Sequence, residues 1–511
     1  MDVILFIYMR PFIFLAAALS VIPLRTLSAQ NTLDHLLYGA RALDIHAVPL
    51  PPVPVSDVET AGPHVTLLLN ADRSNQARPV WPGYSVFGQP VLLYEAGVRS
   101  FLIAHPNPPA GYSEVFSAPR TVFGKAGEIP DLNFPFQFHR KVNRIDTFAY
   151  RYEPGDRPER SIRTLVHERF HVFQEKAFAA PAYNGRVSEP DAEDLALAAL
   201  EQKTLKSALL ASGRAEAARF AGQFLAVRAE RYSRQPDSRD HEVDEERTEG
   251  MALYIEENLM DRPDVAPTAQ GVISAVVRRL DRFPGMDDME KGRYYGTGAA
   301  QGLLLDLAAQ EGWKQRVAAG ASLRDLLAGA YPLAAADIPA VLEDAKDWHG
   351  YDALLKTGIK LAGEFQSLKA KAISDYESSP GVEWKVQVPW DKDTNFGFSG
   401  SNPDFRLNET ETLMPNLDTL DVRGTAFTLH FEARPAVLGS GVRFHASPEA
   451  VVLLDGAAFS LSDGVYHFES LALTEADLNL DAARPGTLTV LGRKTVVSFV
   501  TGSGSKRSLL K

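Results

Sequence analysis

Cysteine is missing from all 511 residues. Its absence excludes disulfides, a thiol nucleophile, a thiolate zinc site and a cysteine-ligated iron–sulfur cluster, and leaves stability to core burial and bound metal. Positive charge is also in short supply: 53 Lys and Arg stand against 65 Asp and Glu, a formal net charge of -12, with no concentrated basic run. Nucleic-acid binders need a basic face to neutralise phosphates, so no nucleic-acid partner is expected. Long apolar runs are confined to the first thirty residues. There, Val3 to Leu24 is interrupted by Arg10 and followed by Leu27, Ser28 and Ala29, the order of an n-region, an h-region and a small-residue cleavage site. Residues 1–29 are therefore predicted to be a signal peptide, the uninterrupted apolar part being shorter than the ~20 residues a membrane span requires. The protein is expected to be exported, periplasmic or extracellular, with no stable membrane insertion after signal removal.

What remains is ordinary globular sequence, 45% hydrophobic and 23% charged, in a chain longer than one core usually covers. Residues 30–155 are rich in proline and glycine. Short β-leaning runs at Val65 to Leu69, Pro90 to Tyr94 and Phe101 to Ala104 are separated by turn clusters such as Trp81-Pro82-Gly83-Tyr84, and predict a β-containing N-terminal part. From residue 156 to 378 apolar residues recur at three- and four-residue spacing, which predicts helices. Asp191 to Ala211 and Arg214 to Arg231 read as consecutive helices parted by Ser212-Gly213, and Asp352 to Glu377 as a third, stopped by Ser378-Ser379-Pro380-Gly381. Residues 382–500 alternate with period two and predict an all-β, sandwich-like C-terminal domain. The polar tail 501–511 is predicted to be disordered. The fold class is α+β.

Chemistry enters at Val166-His167-Glu168-Arg169-Phe170-His171. Residues four apart share a helix face, so two imidazoles at 167 and 171 converge on one tetrahedral ion. Glu168, beside the first ligand, is placed to take a proton from a water that the ion activates. This His-Glu-x-x-His pattern is that of the zincins, and Zn2+ is the expected cofactor. A catalytic zinc site wants three protein ligands, and no histidine follows His171 closely enough to be the third.

A second segment, Asp244-Glu245-Glu246-Arg247-Thr248-Glu249-Gly250-Met251-Ala252-Leu253-Tyr254, is dense in carboxylates. Glu249-Gly250-Met251-Ala252-x-Tyr254 resembles the Glu-Gly-[Leu/Met]-Ala-x-Tyr segment of gluzincin-type zinc metallopeptidases, whose glutamate is the third zinc ligand. The resemblance implies that Glu249 binds the metal and that Gly250 lets its helix approach the His167 helix. It departs from the best-known gluzincins in two ways: the second motif lies further downstream, and position 253, where an acidic partner often sits, is leucine. Glu245 and Glu246 remain alternative ligands.

An oxyanion at the attacked carbonyl calls for a donor aimed at the metal. Tyr294, Tyr295, His241 and Tyr254 are the candidates, whereas Arg228 and Arg231 are expected to pair structurally with nearby carboxylates. The sequence thus predicts a zincin-like, mostly helical catalytic core in an exported zinc hydrolase, with a peptide or protein as substrate. The alternatives are a zinc hydrolase of a non-peptide amide or ester, and a non-catalytic envelope binding protein with a structural metal helix.

Overall fold

The computed structural model describes residues 55–127, 136–153, 155–182, 188–260, 269–389, 394–400 and 403–499. Residues 1–29, expected to be a signal peptide, and the tail 501–511 lie outside the described residues.

The first described element is helix α1 (Val55–Ala77), bent at Gly62, where φ is 77°. Val65 to Leu69 therefore lies in a helix and not in the strand expected from its composition. A short apolar run is compatible with either state, and here it is the buried face of α1 that decides, with Val65, Leu68 and Leu69 packed into the core. A six-stranded sheet follows: β1 (Val91–Glu95), β2 (Arg99–Ile103), β3 (Ser113–Phe116), β4 (Val122–Ala126), β5 (Phe136–Val142) and β6 (Ile145–Arg151), in the order β3-β4-β2-β1-β6-β5. Its β1–β6 pair is parallel. The Trp81 to Tyr84 turn plugs the sheet into the helices, with Trp81 and Tyr84 each edge-on to Phe170.

Helix α2 (Pro158–Ala177) carries the His-Glu-x-x-His motif. Pro158 sits in its first turn, where a missing N–H costs nothing. Ile162, Leu165, Val166 and Phe170 are fully buried. Arg169, inside the motif, is buried as well, donating to Gln89 Oε1 at 2.7 Å and to Val86 O at 3.2 Å, which staples the helix to the segment leading into β1. Helices α3 (Ala192–Leu209) and α4 (Arg214–Arg234) follow, α3 opened by a capping box at Asp191. Next come α5 (Ser238–Glu245), a π turn at Glu246–Gly250, α6 (Met251–Met260), α7 (Ala269–Leu280) and α8 (Gly292–Leu307). Then α9 (Trp313–Ala318), α10 (Leu323–Ala330), α11 (Ile338–His349) and the long α12 (Tyr351–Glu377) complete the helical portion.

Apolar residues of α1, the six-stranded sheet, α2, α6 and α8 belong to one cluster, so the front and helical portions share a core. A second cluster lies between an eight-stranded and a seven-stranded sheet built from Val382 to Phe499. Inward residues such as Trp384, Phe444 and Leu488 of the first sheet meet Leu420, Phe431 and Leu480 of the second, the alternation that a sandwich requires. Helix α12 joins the two units by setting Phe365 against Phe405, with ring centroids 5.3 Å apart, and Tyr376 against His445 at 4.8 Å. Among the described residues no single helix is long and apolar enough to cross a membrane.

Candidate metal centre

His167 and His171 stand one turn apart on α2 with ring centroids 4.9 Å apart. Facing them is Glu249, in the π turn. Its Oε2 lies 3.2 Å from His167 Nε2 and 3.4 Å from His171 Nε2. Ligand atoms around a tetrahedral ion with bonds of roughly 2.0–2.2 Å stand roughly 3.3–3.6 Å apart, so these separations suit a shared cation. All three donor atoms lie within 4.8 Å of one another, and these three residues form the one such group among the described residues.

The remaining ring nitrogens are also engaged. His171 Nδ1 lies 2.7 Å from Gln174 Oε1, and the Gln174 amide donates in turn to Arg247 O and Thr248 O of the facing segment. His167 Nδ1 is 3.4 Å from Glu256 Oε2. Arg163 braces this carboxylate from the other side, 3.6 Å from Glu256 and 2.7 Å from Glu257. With Nδ1 directed to an oxygen in each case, both Nε2 atoms are turned towards Glu249, the ring orientation that metal ligation needs. Glu256 is thus the acidic partner of His167 Nδ1, whereas Leu253 is apolar and fully buried. Glu256 lies seven residues, or two helical turns, after Glu249.

Glu246 and Glu245 are not in the ligand group. Glu246 is buried and points away: its Oε1 accepts from Thr297 at 2.6 Å and from Arg228 at 2.9 Å. It belongs to a buried set of three carboxylates and three guanidiniums. Glu201 meets Arg228 at 2.6 Å, Arg231 at 3.0 Å and Arg293 at 2.8 Å, and Glu242 meets Arg231 at 2.5 Å and also Arg293. Arg228 and Arg231 are thus structural, as expected. The charges balance, and the set fastens α3, α4, α5, the π turn and α8 together directly behind Glu249.

Gly250 does not face the His167 helix. A Cβ there would lie 2.6 Å from Gly298 Cα and 2.9 Å from Tyr294 O, both on α8. Glu249 occupies the side towards α2, so its neighbour is turned towards a different helix. The complementary clash holds at Gly298, where a Cβ would lie 2.7 Å from Glu246 O. The glycine of the motif serves the crossing with α8.

No family model, curated protein or solved structure matches this chain. The site therefore has to be read from its own geometry.

The four candidate donors separate. The Tyr295 ring stacks on His167 at 5.5 Å and 16°, and its hydroxyl is near enough to Glu249 to feel that charge. Tyr294 is fully buried, its hydroxyl donating to Met289 O at 2.6 Å. Tyr254 donates to Asp306 at 2.5 Å, and His241 Nε2 lies 2.6 Å from Glu290 O. Sequence reasoning had no means of finding Lys291, whose Nζ is 2.9 Å from Glu249 Oε1.

Electrostatics follow the geometry. Burial opposes a charge on His167, yet its hydrogen bonds to Glu249 and Glu256 outweigh that and raise its pKa to about 9. Burial alone would raise Glu249, but hydrogen bonds from both imidazoles hold its carboxyl far below the usual range. Glu168 is half-buried beside the pair, and burial pushes its carboxyl up against the pull of His171 and His167. Burial, reinforced by Glu249, keeps the Tyr295 hydroxyl protonated well beyond its ordinary range. The arrangement brings together a ligand set, an adjacent carboxylate and a protonated donor.

Proposed function

We propose that this protein is an exported zinc-dependent hydrolase of the gluzincin type, with amide bonds of peptides or proteins as its substrates. The observation that carries the reading is Glu249 Oε2, placed between the two imidazole Nε2 atoms of the His-Glu-x-x-His helix by a segment 82 residues further along the chain. Two imidazoles and one carboxylate are donors that suit zinc and leave a position for water. Zinc, when bound, supplies Lewis acidity: it acidifies water and polarises a carbonyl.

The chain's own residues do the rest. Glu168 takes the proton of the attacking water on its carboxylate and returns it to the leaving nitrogen. Tyr295 donates its hydroxyl proton in a hydrogen bond to the oxygen on which charge develops. Glu256 and Gln174 keep the two rings aimed. The leader-like sequence of residues 1–29 motivates the assignment to the periplasm or the extracellular space.

Glu168→Gln tests the reading, since it is isosteric and removes only the base. The variant should keep its zinc and its melting temperature while losing roughly 10²–10⁴-fold in turnover of a quenched peptide library. Wild-type protein that takes up no zinc, or an unchanged rate in the variant, would refute the enzyme reading. Turnover of ester or non-peptide amide probes with none of peptides would move the substrate class and keep the chemistry.

A further inference from the structure

The connection between α7 and α8 is anchored at successive residues. Asp288 Oδ2 accepts from Gly285 N and from Arg282, each at 2.8 Å. Met289 O accepts from Tyr294 at 2.6 Å, and Glu290 O accepts from His241 at 2.6 Å. The next residue is Lys291, whose ammonium reaches Glu249 Oε1 at 2.9 Å. Two of the residues considered as oxyanion donors, Tyr294 and His241, thus hold the loop that delivers this lysine.

The two oxygens of Glu249 face different groups: Oε1 faces Lys291, and Oε2 faces both imidazoles. A carboxylate left to itself binds a cation through one oxygen or through both. We propose that Lys291 is a positioning residue that occupies Oε1, so that Glu249 offers a single oxygen to the metal and the coordination number stays at four with water included. This rests on the metal-centre reading above and adds to it a residue outside both sequence motifs.

The test uses the full-length mature protein, stripped of metal and reloaded with Co2+ or Zn2+, as wild type, Lys291→Met and Lys291→Arg. The Lys291 side chain is 59% exposed, so the variants should fold, and circular dichroism with a melting curve checks that they do. Wild type with Co2+ should show the strong visible absorption of a four-coordinate ion. Lys291→Met should show the weaker bands of a five-coordinate one and bind Zn2+ about 10-fold more weakly in a chelator competition. Lys291→Arg should restore most of both signals. An unchanged Co2+ spectrum in Lys291→Met, with Zn2+ affinity within about two-fold of wild type, overturns the role of Lys291 while leaving the metal centre standing. Wild type that binds neither ion overturns the metal-centre reading itself, and this proposal with it.

Discussion

Tyr294 and Tyr295 are adjacent in the chain, yet their hydroxyls serve different ends. Tyr295 lies over His167, whereas Tyr294 is locked to Met289 O in the interior. Tyr295→Phe should therefore lower kcat by roughly 10²–10³-fold with KM and zinc content little changed. Tyr294→Phe should leave kcat within a small factor of wild type and cost about 1 kcal/mol of stability, read from denaturant unfolding. Reversal of the two effects would exchange the roles assigned to them. Nothing in the spacing distinguishes the pair, because neighbours on a helix point about 100° apart and only the packing of α8 against α6 and the π turn says which direction meets His167. His167 and His171 differ in this respect: their convergence is a property of a single helix and is legible wherever that helix forms.

At the scale of elements, the close approach of α8 to the π turn sets where Glu249 stands. A methyl group on Gly298 would meet Glu246 O and Gly250 Cα at 2.7 Å, both backbone atoms that cannot rotate away. Gly298→Ala should accordingly destabilise the protein by about 1–3 kcal/mol and weaken zinc binding by displacing Glu249. Gly363→Ala on α12, where a Cβ has nothing within 4 Å, should be neutral or stabilising by up to about 1 kcal/mol. Equal losses in the two variants would mean that helix packing does not position the ligand. The buried ion pairs act in the same place. Desolvating three carboxylates and three guanidiniums yields little net stability, and its clearest consequence is that shifting one of five segments strands a charge. Sequence pattern revealed the carboxylate density near Glu245 but could not say which member faced the histidines, since that depends on where Arg228, Arg231 and Arg293 gather.

The two largest apolar clusters among the described residues lie under the candidate metal centre and inside the sandwich. Calorimetry of the zinc-loaded protein should resolve two transitions. A ligand bound only to the folded state stabilises by about 2.7 kcal/mol when free ligand is at about 100 times Kd. Chelation should therefore lower the transition of the helical unit and leave that of the sandwich in place. A single transition that moves as one would show that the α12 contacts make the two units one cooperative body, and an unmoved pair would argue against the metal.

The α+β class, the helices around α3, α4 and α12, the β character of the C-terminal part and the His167, Glu168, His171 triplet were all determined by sequence alone. Each is written in a local period or spacing that one element carries by itself. Tertiary structure decided that Val65 to Leu69 is helical, that Glu249 and not Glu246 turns towards the imidazoles, that Gly250 serves α8, and that Glu256, Gln174 and Lys291 surround the site. These depend on distances between elements, which are set by glycine-lined helix crossings and by charges that must find partners once buried. No periodicity within a single segment encodes such distances.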